Sequence, residues 1–145
     1  MTLVDVNVLL YVVNQSAPHH QRVQNWWEAA IRDERPLGLT WLVIVGFLRL
    51  ATHPGIFDDP LSAQEAATKI ETWLALPNIG LITEADAHWT LYQQLIRDVG
   101  AIGNLANDIH LAAIAIGSGA SIVSCDSDFA RFQHVRWENP LTDKH

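Results

Sequence analysis

Acidic residues occur at three places where a predicted strand gives way to a predicted helix. Asp5 follows a short apolar segment, Asp108 opens an alanine-rich helical segment, and Asp126 and Asp128 follow a later apolar segment. In an open parallel sheet the carboxyl ends of the strands meet along one edge, so these side chains are expected to converge in one crevice. Carboxylates that converge repel each other unless a cation lies between them. The sequence therefore predicts a metal site.

The chemistry that fits this donor set is hydrolysis of a phosphodiester with Mg²⁺, with Mn²⁺ as a substitute. Both are hard cations that take oxygen ligands, and the chain has no cysteine and histidine cluster with zinc spacing. Two such ions about 3.5–4 Å apart activate water and stabilise the leaving oxygen. Asp5 is the expected central ligand, flanked by Asp108 and Asp126. Asp128 is expected to bind directly or through water.

Each acidic residue also has an ordinary structural explanation. A carboxylate such as Asp5 or Asp108 at a helix start gains about 0.3–1 kcal/mol from the helix dipole. The segment 126–128 fits an Asx turn that enters a short helix. Caps alone explain poorly why three strand ends deliver carboxylates to one edge, so the metal site is favoured.

Polar residues near these segments are candidates for supporting roles. Asn7 and Ser124 are expected to hold a carboxylate or a bound water by hydrogen bond, although capping and turn formation explain them equally well. Arg49 is a candidate for bidentate binding of phosphate in the cleft, with a surface or core-pairing arginine as the alternative. His53 and Arg131 are weaker candidates for contacts to the nucleic-acid backbone.

Short apolar segments alternate with helical segments along the chain. The predicted strands lie at 2–4, 37–40, 80–82 and 121–124, with 135–137 as a candidate fifth. The predicted helices begin after Asp5, at Pro18, after Thr40, after Ser62, after Thr83 and at Asp108. This alternation is typical of an α/β fold, with a mainly parallel sheet of four or five strands flanked by helices.

Length and composition limit the kind of protein. The chain has 145 residues, of which 49% are hydrophobic, and this suits a single domain over 1–141 with a short tail at 142–145. Its single cysteine excludes a disulfide framework and fits a reducing cytosol. No signal peptide or apolar run long enough to span a bilayer is evident, so a cytoplasmic location with no membrane contact is expected.

The charge balance is acidic. A formal net charge of -7 argues against a general nucleic-acid coat, which would carry a basic stripe. An acidic nuclease is still compatible with this charge, because bound divalent cations invert the local field where phosphate docks. A basic protein partner would suit it as well.

Four stretches of sequence carry a family resemblance. They are Asp-Val-Asn-Val-Leu-Leu-Tyr at 5–11, Phe-Leu-Arg-Leu-Ala-Thr-His-Pro at 47–54, Gly-Asn-Leu-Ala-Asn-Asp-Ile-His-Leu-Ala-Ala at 103–113 and Val-Ser-Cys-Asp-Ser-Asp-Phe-Ala-Arg-Phe at 123–132. In this order they resemble the PIN-domain nucleases of the VapC toxin type over nearly the whole chain. Residue by residue, Asp5, Asp108 and Asp126 match the metal-site aspartates of that family, with Asp128 as a frequent fourth.

The resemblance implies both a fold and an activity. The fold is a PIN-like parallel sheet between helices, and the activity is Mg²⁺-dependent endoribonuclease cleavage of structured RNA. The VapC type also implies a role as the toxin of a type II toxin–antitoxin system. Its partners would be a VapB-type antitoxin and a second copy of the toxin in a homodimer.

One position departs from the family pattern. Many PIN nucleases carry a glutamate on the helix after the second strand, where this chain aligns Gly46. One explanation is a branch that manages with three or four aspartates, and this is favoured. The alternative is a catalytically weakened module that binds RNA without cutting it well.

A haloacid-dehalogenase-like phosphatase is the rival enzyme. Its sheet also presents aspartates at strand ends, but it needs a second acid two residues after the nucleophile. Asn7 stands at that place, and neither Lys69 nor Lys144 is well placed to serve as the downstream lysine.

The six tryptophans are many for so small a core. Trp26 and Trp27 are adjacent, so they point to different sides of one helix. One of them is expected at an antitoxin groove or dimer interface, where tryptophan is enriched. The alternative is a large aromatic core with one partly exposed ring.

Overall fold

The computed structural model describes residues 1–142 and contains a five-stranded, all-parallel sheet, which confirms the predicted α/β class. Of the predicted tail, only Thr142 falls within the described residues. The strand order is β3-β2-β1-β4-β5. The strands are β1 (Thr2–Val4), β2 (Leu37–Leu39), β3 (Ile79–Leu81), β4 (Ser121–Val123) and β5 (Trp137–Glu138).

Six α-helices connect and flank the strands. They are α1 (Val6–Val13), α2 (His20–Arg32), α3 (Trp41–Ala51), α4 (Ala63–Leu74), α5 (His88–Val99) and α6 (Ala106–Ser118). Two 3₁₀ segments lie at Gly103–Leu105 and Ser127–Arg131. Within residues 1–142, none of the helices has the length and hydropathy needed to cross a bilayer.

Side-chain caps fix three of the six helix starts where the sequence predicted them. Asp5 accepts a hydrogen bond from the Val6 amide, and Thr40 accepts one from the amide of Val43. Ser62 and Glu65 form a reciprocal capping box at the start of α4. The caps at Asp5 and Thr40 set the direction in which the chain leaves β1 and β2.

The predicted helix starts at Pro18 and after Thr83 are wrong. Thr83 does not cap α5, because the Ile82 amide still pairs with the Leu39 carbonyl and the chain stays extended before turning at Ala85. Pro18 lies in a turn closed by a hydrogen bond from the His20 amide to the Ala17 carbonyl, so α2 begins only after that turn.

Strand β1 lies at the centre of the sheet and positions the site. It pairs with β2 on one side and with β4 on the other, and Val4 is in register with Val123. The residues that follow them, Asp5 and Ser124, therefore leave the sheet side by side. The chain runs from β1 to β2 and β3 on one side and returns to β4 on the other, so this boundary is a topological switch point, where α/β sheets bind ligands.

The adjacent tryptophans of α2 are both buried within the chain, so the large aromatic core holds both, and the predicted partner contact of one of them stays a prediction. Each retains only 5% exposure. The ring of Trp27 packs edge-on against Trp73 of α4 at 5.4 Å, whereas the Trp26 Nε1 donates to Glu138 of β5 at 3.1 Å. Helix α2 is therefore covered on both sides, by another helix and by the edge of the sheet. The exposed tryptophans are Trp41 and Trp89.

Candidate metal site

Three carboxylates meet beside the carboxyl ends of β1 and β4. One oxygen from each of Asp108, Asp126 and Asp128 lies within 4.8 Å of the others, and all three residues are partly exposed. A divalent cation with oxygen ligands at about 2.0–2.6 Å spans oxygens at such separations. We call these residues the acidic trio; within residues 1–142 no second group of this kind occurs.

Local turns place the members of the trio. Asp126 Oδ1 accepts a hydrogen bond from the Asp128 amide at 2.9 Å, which is the Asx turn expected from the sequence. The turn holds the carboxylates of Asp126 and Asp128 at the start of the 3₁₀ segment. The Asx turn and the grouping of these carboxylates with Asp108 therefore occur together. Helix α6 begins at Ala106 and not at Asp108 as predicted, so Asp108 lies in its first turn and does not cap it. There the helix dipole still favours a negative charge.

Asp5 belongs to a hydrogen-bonded network beside the trio. Its side chain is buried, and its Oδ1 accepts from the Val6 amide at 2.8 Å. Its Oδ2 accepts from the Ser124 hydroxyl at 2.7 Å and from Asn7 Nδ2 at 3.2 Å. Asp5 was predicted to be the central ligand between Asp108 and Asp126, but it is not among the three carboxylates that lie within 4.8 Å of one another.

Ser124 and Asn7 connect this network to the trio. The Ser124 Oγ accepts from Asn7 Nδ2 at 3.1 Å and from the Asp126 amide at 3.0 Å. Asn7 Oδ1 accepts from the Cys125 amide at 3.0 Å. The hydroxyl of Ser124 thus uses its donor and two acceptor positions at once. The network fixes the first turn of α1 to the segment that follows β4.

The electrostatics of the site are unfavourable without a cation. Burial, followed by repulsion from Asp5, Asp126 and Asp128, raises the pKa of Asp108 to about 7. The pKa of Asp5 is also raised, mainly by burial, while the bonds from Ser124, Val6 and Asn7 oppose that rise. Negative charge therefore accumulates on Asp108 only at a free-energy cost.

A cleft of about 340 Å³ opens over these carboxylates. One wall is α3, which contributes Val45, Gly46 and Arg49 among others. A Cβ built on Gly46 would meet only the Val6 side chain, at 3.4 and 3.9 Å, so the cleft is open at this point. The candidate Arg49 thus lies at the cleft.

The other two candidate phosphate-binding residues lie differently. Arg131 Nε is 3.7 Å from Asp128 Oδ1, beside the trio, although it does not line the cleft. His53 does not line the cleft either, and its Nδ1 accepts a hydrogen bond from the Gly55 amide at 2.9 Å. The structure therefore brings Arg49 and Arg131 to the site but not His53.

Other residues that line the cleft were not predicted from the sequence, including Asn104, Asn107 and Val45. Asn104 precedes Asp108 by four residues, a spacing that places side chains on one helical face. This signal was hidden because Asn104 lies before Asp108, the predicted start of the helix, in a 3₁₀ segment. Val45 could have been found from its position on α3, one residue before Gly46.

Comparisons with known proteins identify the family of this chain. Residues 2–135 match the PIN domain family. Ribonuclease VapC37 of Mycobacterium tuberculosis is 42% identical over 140 residues, which cover 97% of both chains. Ribonuclease VapC33 of the same species is 36% identical over 143 residues, covering 99% of this chain and 100% of the relative.

Solved structures share the fold at lower identity. The VapBC2 complex from Rickettsia felis, bound to a DNA fragment from its promoter, matches with a TM-score of 0.69 at 19% identity, covering 95% of this chain and 97% of the matched chain. FitAcB from Neisseria gonorrhoeae matches with a TM-score of 0.67 at 20% identity, covering 99% and 100%. Together with the sequence matches over nearly its full length, these findings show that the chain belongs to the PIN-domain family, in the group of the VapC ribonucleases.

Proposed function

We propose that this protein is the toxin of a type II toxin–antitoxin system and hydrolyses RNA phosphodiester bonds at the acidic cleft with Mg²⁺, or with Mn²⁺ as a substitute. The observation that carries this proposal is the convergence of Asp108, Asp126 and Asp128 within 4.8 Å. Relatives named ribonucleases, similar along nearly the whole chain, support RNA as the substrate.

The residues present fit a hard divalent cation. The trio offers only carboxylate oxygens, which Mg²⁺ prefers, and the raised pKa of Asp108 indicates charge that the protein itself does not neutralise. When bound, the ion would supply an activated water and stabilise the leaving oxygen. Asp108, Asp126 and Asp128 would hold it, and Asp5 is the further ligand whose orientation Ser124 and Asn7 fix by hydrogen bonds.

Cationic side chains near the cleft would position the RNA. Arg49 lines the cleft on the last turn of α3 and would bind a phosphate by two parallel hydrogen bonds. Arg131 would contact the RNA backbone beside Asp128. His53 keeps only a peripheral part in this proposal, since its ring is occupied by the Gly55 amide and lies outside the cleft lining.

Metal-dependent cleavage tests the proposal. The parent protein, Asp108→Asn and Asp5→Asn are incubated with RNA and with a generic phosphomonoester while Mg²⁺ or Mn²⁺ is titrated. We expect cleavage of RNA alone, dependent on the ion and lost in both variants, because asparagine keeps the shape and removes the charge. An enzyme that tolerates both substitutions, or that prefers the phosphomonoester, would contradict the proposal.

A catalytically weakened, RNA-binding module is the second candidate, and Gly46 favours it. The open space beside Gly46 would admit a longer side chain, since a Cβ there meets only Val6. Gly46→Glu is therefore assayed beside the parent. An active parent supports a branch that works with aspartates alone, whereas an inactive parent that gains activity on this substitution supports the weakened module.

A groove between α1, α2 and α4 is the proposed site for a VapB-type antitoxin. It has a volume of about 550 Å³ and combines the apolar residues Val12, Trp27 and Trp73 with polar ones. Gln24 also lines the groove, and its Oε1 is buried and has no hydrogen-bond partner within residues 1–142.

Solution scattering tests the contact with the antitoxin and the contact between two copies of the toxin in a homodimer. We expect a homodimer of the toxin alone and a larger complex with a candidate VapB protein. A monomer indifferent to that protein would contradict both.

A further inference from the structure

Three asparagines line the cleft over the acidic trio, and they differ in how their amides are used. They are Asn7, Asn104 and Asn107. The amide of Asn7 donates two hydrogen bonds and accepts one within the site. By contrast, the side chains of Asn104 and Asn107 are exposed and make no hydrogen bond to any other of the described residues 1–142. Their donors and acceptors are therefore available to a ligand in the cleft.

Helix capping, the usual reason for an asparagine near a helix start, does not explain these two residues. The residue at the cap of α6 is Leu105, and no side chain caps that helix. The 3₁₀ segment Gly103–Leu105 likewise begins without a side-chain cap. Asn107 lies inside the first turn of α6, where asparagine is a poorer helix former than alanine. Local structure therefore gives no reason for either amide.

The backbone that carries the two amides is fixed before any ligand binds. The side chain of Leu105 is buried, with 7% exposure. The hydroxyl of Tyr92 donates to the Ala106 carbonyl at 3.0 Å and ties this segment to α5. The Leu105 amide also donates to the Ile102 carbonyl at 2.7 Å. Groups carried on a rigid element reach a ligand with little loss of freedom, so Asn104 and Asn107 are suited to recognition.

The chemistry of an amide indicates which group of a ligand it fits. Each amide carries a donor and an acceptor without net charge. A phosphate offers only acceptors and a water held by a cation offers donors, so either would leave half of the amide unused. The edge of a nucleobase offers a donor beside an acceptor, as when asparagine makes two hydrogen bonds to N6 and N7 of adenine. Of the ligand groups considered, a base edge therefore uses these amides best.

We infer that Asn104 and Asn107 read the edge of one unpaired base of the RNA, next to the phosphodiester that is cleaved at the trio. The inference rests on the proposed function and adds a sequence preference to it. Asn107 directly precedes Asp108 and Asn104 lies four residues before it, so both amides are close to a residue that would hold the ion. Side chains cannot read bases in the narrow major groove of an RNA helix. The base that is read therefore belongs to a loop, a bulge or a single strand.

Cleavage of RNA of randomised sequence tests this inference. The parent, Asn104→Ala, Asn107→Ala and the double variant are incubated with single-stranded RNA and Mg²⁺, and the ends of the products are sequenced. Asn25→Ala is the matched control, because Asn25 is an exposed asparagine of α2 outside the cleft lining. The Mg²⁺ affinity and the sedimentation mass of each protein are measured alongside.

We expect the parent to prefer one base at one position beside the cleaved bond by roughly 5- to 150-fold in kcat/KM, the range for one base read by two hydrogen bonds. The preference should fall in each single variant and disappear in the double variant, whereas Asn25→Ala should keep it. The Mg²⁺ affinity should not change. Replacing the preferred base by an abasic site should slow the parent but not the double variant.

Other results would overturn the inference. A base preference retained in the double variant, or a parent without any preference, would exclude base reading by these amides. Equal slowing on all sequences with weaker Mg²⁺ binding would assign the amides to water on the ion. Sensitivity to a 2′-deoxy sugar in place of the base would assign them to the ribose, and an altered sedimentation mass would assign them to a contact between two copies of the chain.

Failure of the proposed function would be distinguishable from failure of this inference. A parent protein that cleaves no RNA would contradict the proposed function. Fluorescence anisotropy in an Asp108→Asn background would then give the Kd for RNAs that differ only in the base at one position. A base preference in binding that the double variant loses would support the role of Asn104 and Asn107, and an unchanged preference would overturn it.

Discussion

Asp5 and the acidic trio lie next to each other, yet the protein treats their charges differently. Asp5 is buried and accepts hydrogen bonds from Val6, Ser124 and Asn7. Asp108 is partly exposed, and within residues 1–142 no group donates a hydrogen bond to its side chain. Hydrogen bonds therefore oppose the rise of the Asp5 pKa, whereas the charge of Asp108 lacks such donors within residues 1–142 and calls for a proton or an external cation.

This difference gives Asp5 and the acidic trio two separate functions, which the sequence could not distinguish. An aspartate held by three donors is fixed in orientation before any ligand arrives, which is how preorganised sites reduce the cost of binding. The trio is instead a set of repelling groups that a divalent ion would relax. Variants that change the charge or the hydrogen bonds of these aspartates test whether Asp5 and the trio have different functions.

Replacing Asp108 should have the largest effect on activity and should increase stability. Asp108→Asn removes a ligand and is expected to lower the rate of RNA cleavage at least about 10²–10³-fold, the cost of removing one preorganised electrostatic group. In the absence of metal the same change removes repulsion from Asp5, Asp126 and Asp128, so the melting temperature should rise. Thermal unfolding in chelator measures this rise.

The matched change in the network should have the opposite effect on stability. Asp5→Asn puts a second donor where the Ser124 hydroxyl and Asn7 Nδ2 already donate, so it should destabilise the protein by about 1–3 kcal/mol. Asp86→Asn, at an exposed position before α5, serves as the control for loss of an acidic charge. Equal shifts of the melting temperature for Asp5→Asn and Asp108→Asn would show that the two sites are not distinct.

Changing pH should shift the balance between the proton and the metal. The pKa of Asp108 is raised from 3.8 to about 7 by folding, so the stability linked to this group is fully present below pH 3.8 and is lost as the pH rises through 7. Stabilisation of the folded protein by Mg²⁺ should therefore be larger at pH 8 than at pH 5.5, where Asp108 holds a proton. Thermal unfolding with and without Mg²⁺ at both pH values measures the difference. It should shrink in Asp108→Asn, and an unchanged difference there would assign the pH dependence to another group.

Much of the fold followed from local signals. The capping residues Asp5, Thr40 and Ser62 mark real helix starts because their side-chain bonds are formed within a few residues. The errors at Pro18 and Thr83 arose where nonlocal or turn hydrogen bonds delayed the helix. The burial of both Trp26 and Trp27 depended on two different partners, α4 and β5, whose positions no local pattern specifies.

The site was only partly predictable for a related reason. The aspartates converge because parallel strands end at one edge of the sheet, and this is predictable from the sequence alone. The separation of Asp5 from the trio depends on the register of β1 with β4, which places Ser124 2.7 Å from Asp5. Val45 and Asn104 line the cleft because α3 and the segment before α6 enclose it, and the sequence does not specify this arrangement.

Removing the hydroxyl of Ser124 should weaken the network without changing any charge. Ser124→Ala removes the donor to Asp5 and the acceptor used by Asn7 and the Asp126 amide, at a side chain with no exposure to solvent. We expect a loss of about 1–3 kcal/mol in the free energy of unfolding, because buried polar groups lose their partner. Urea unfolding measures the loss, with the exposed Ser127→Ala as control. A Ser124→Ala protein as stable as the parent would mean that the network does not hold Asp5.

Arg131→Gln should have the smallest effect, and its sign distinguishes two roles for this residue. The guanidinium lies 3.7 Å from Asp128 in an exposed pair, and such pairs contribute about 0.2–1 kcal/mol. If Arg131 competes with the ion for Asp128, its removal should raise Mg²⁺ affinity by roughly 1.4- to 5-fold. If it contacts the RNA backbone, KM for RNA should rise while Mg²⁺ affinity changes little. Metal titration by calorimetry and cleavage kinetics, with the exposed Arg32→Gln as control, separate these outcomes; a loss of Mg²⁺ affinity would contradict both roles.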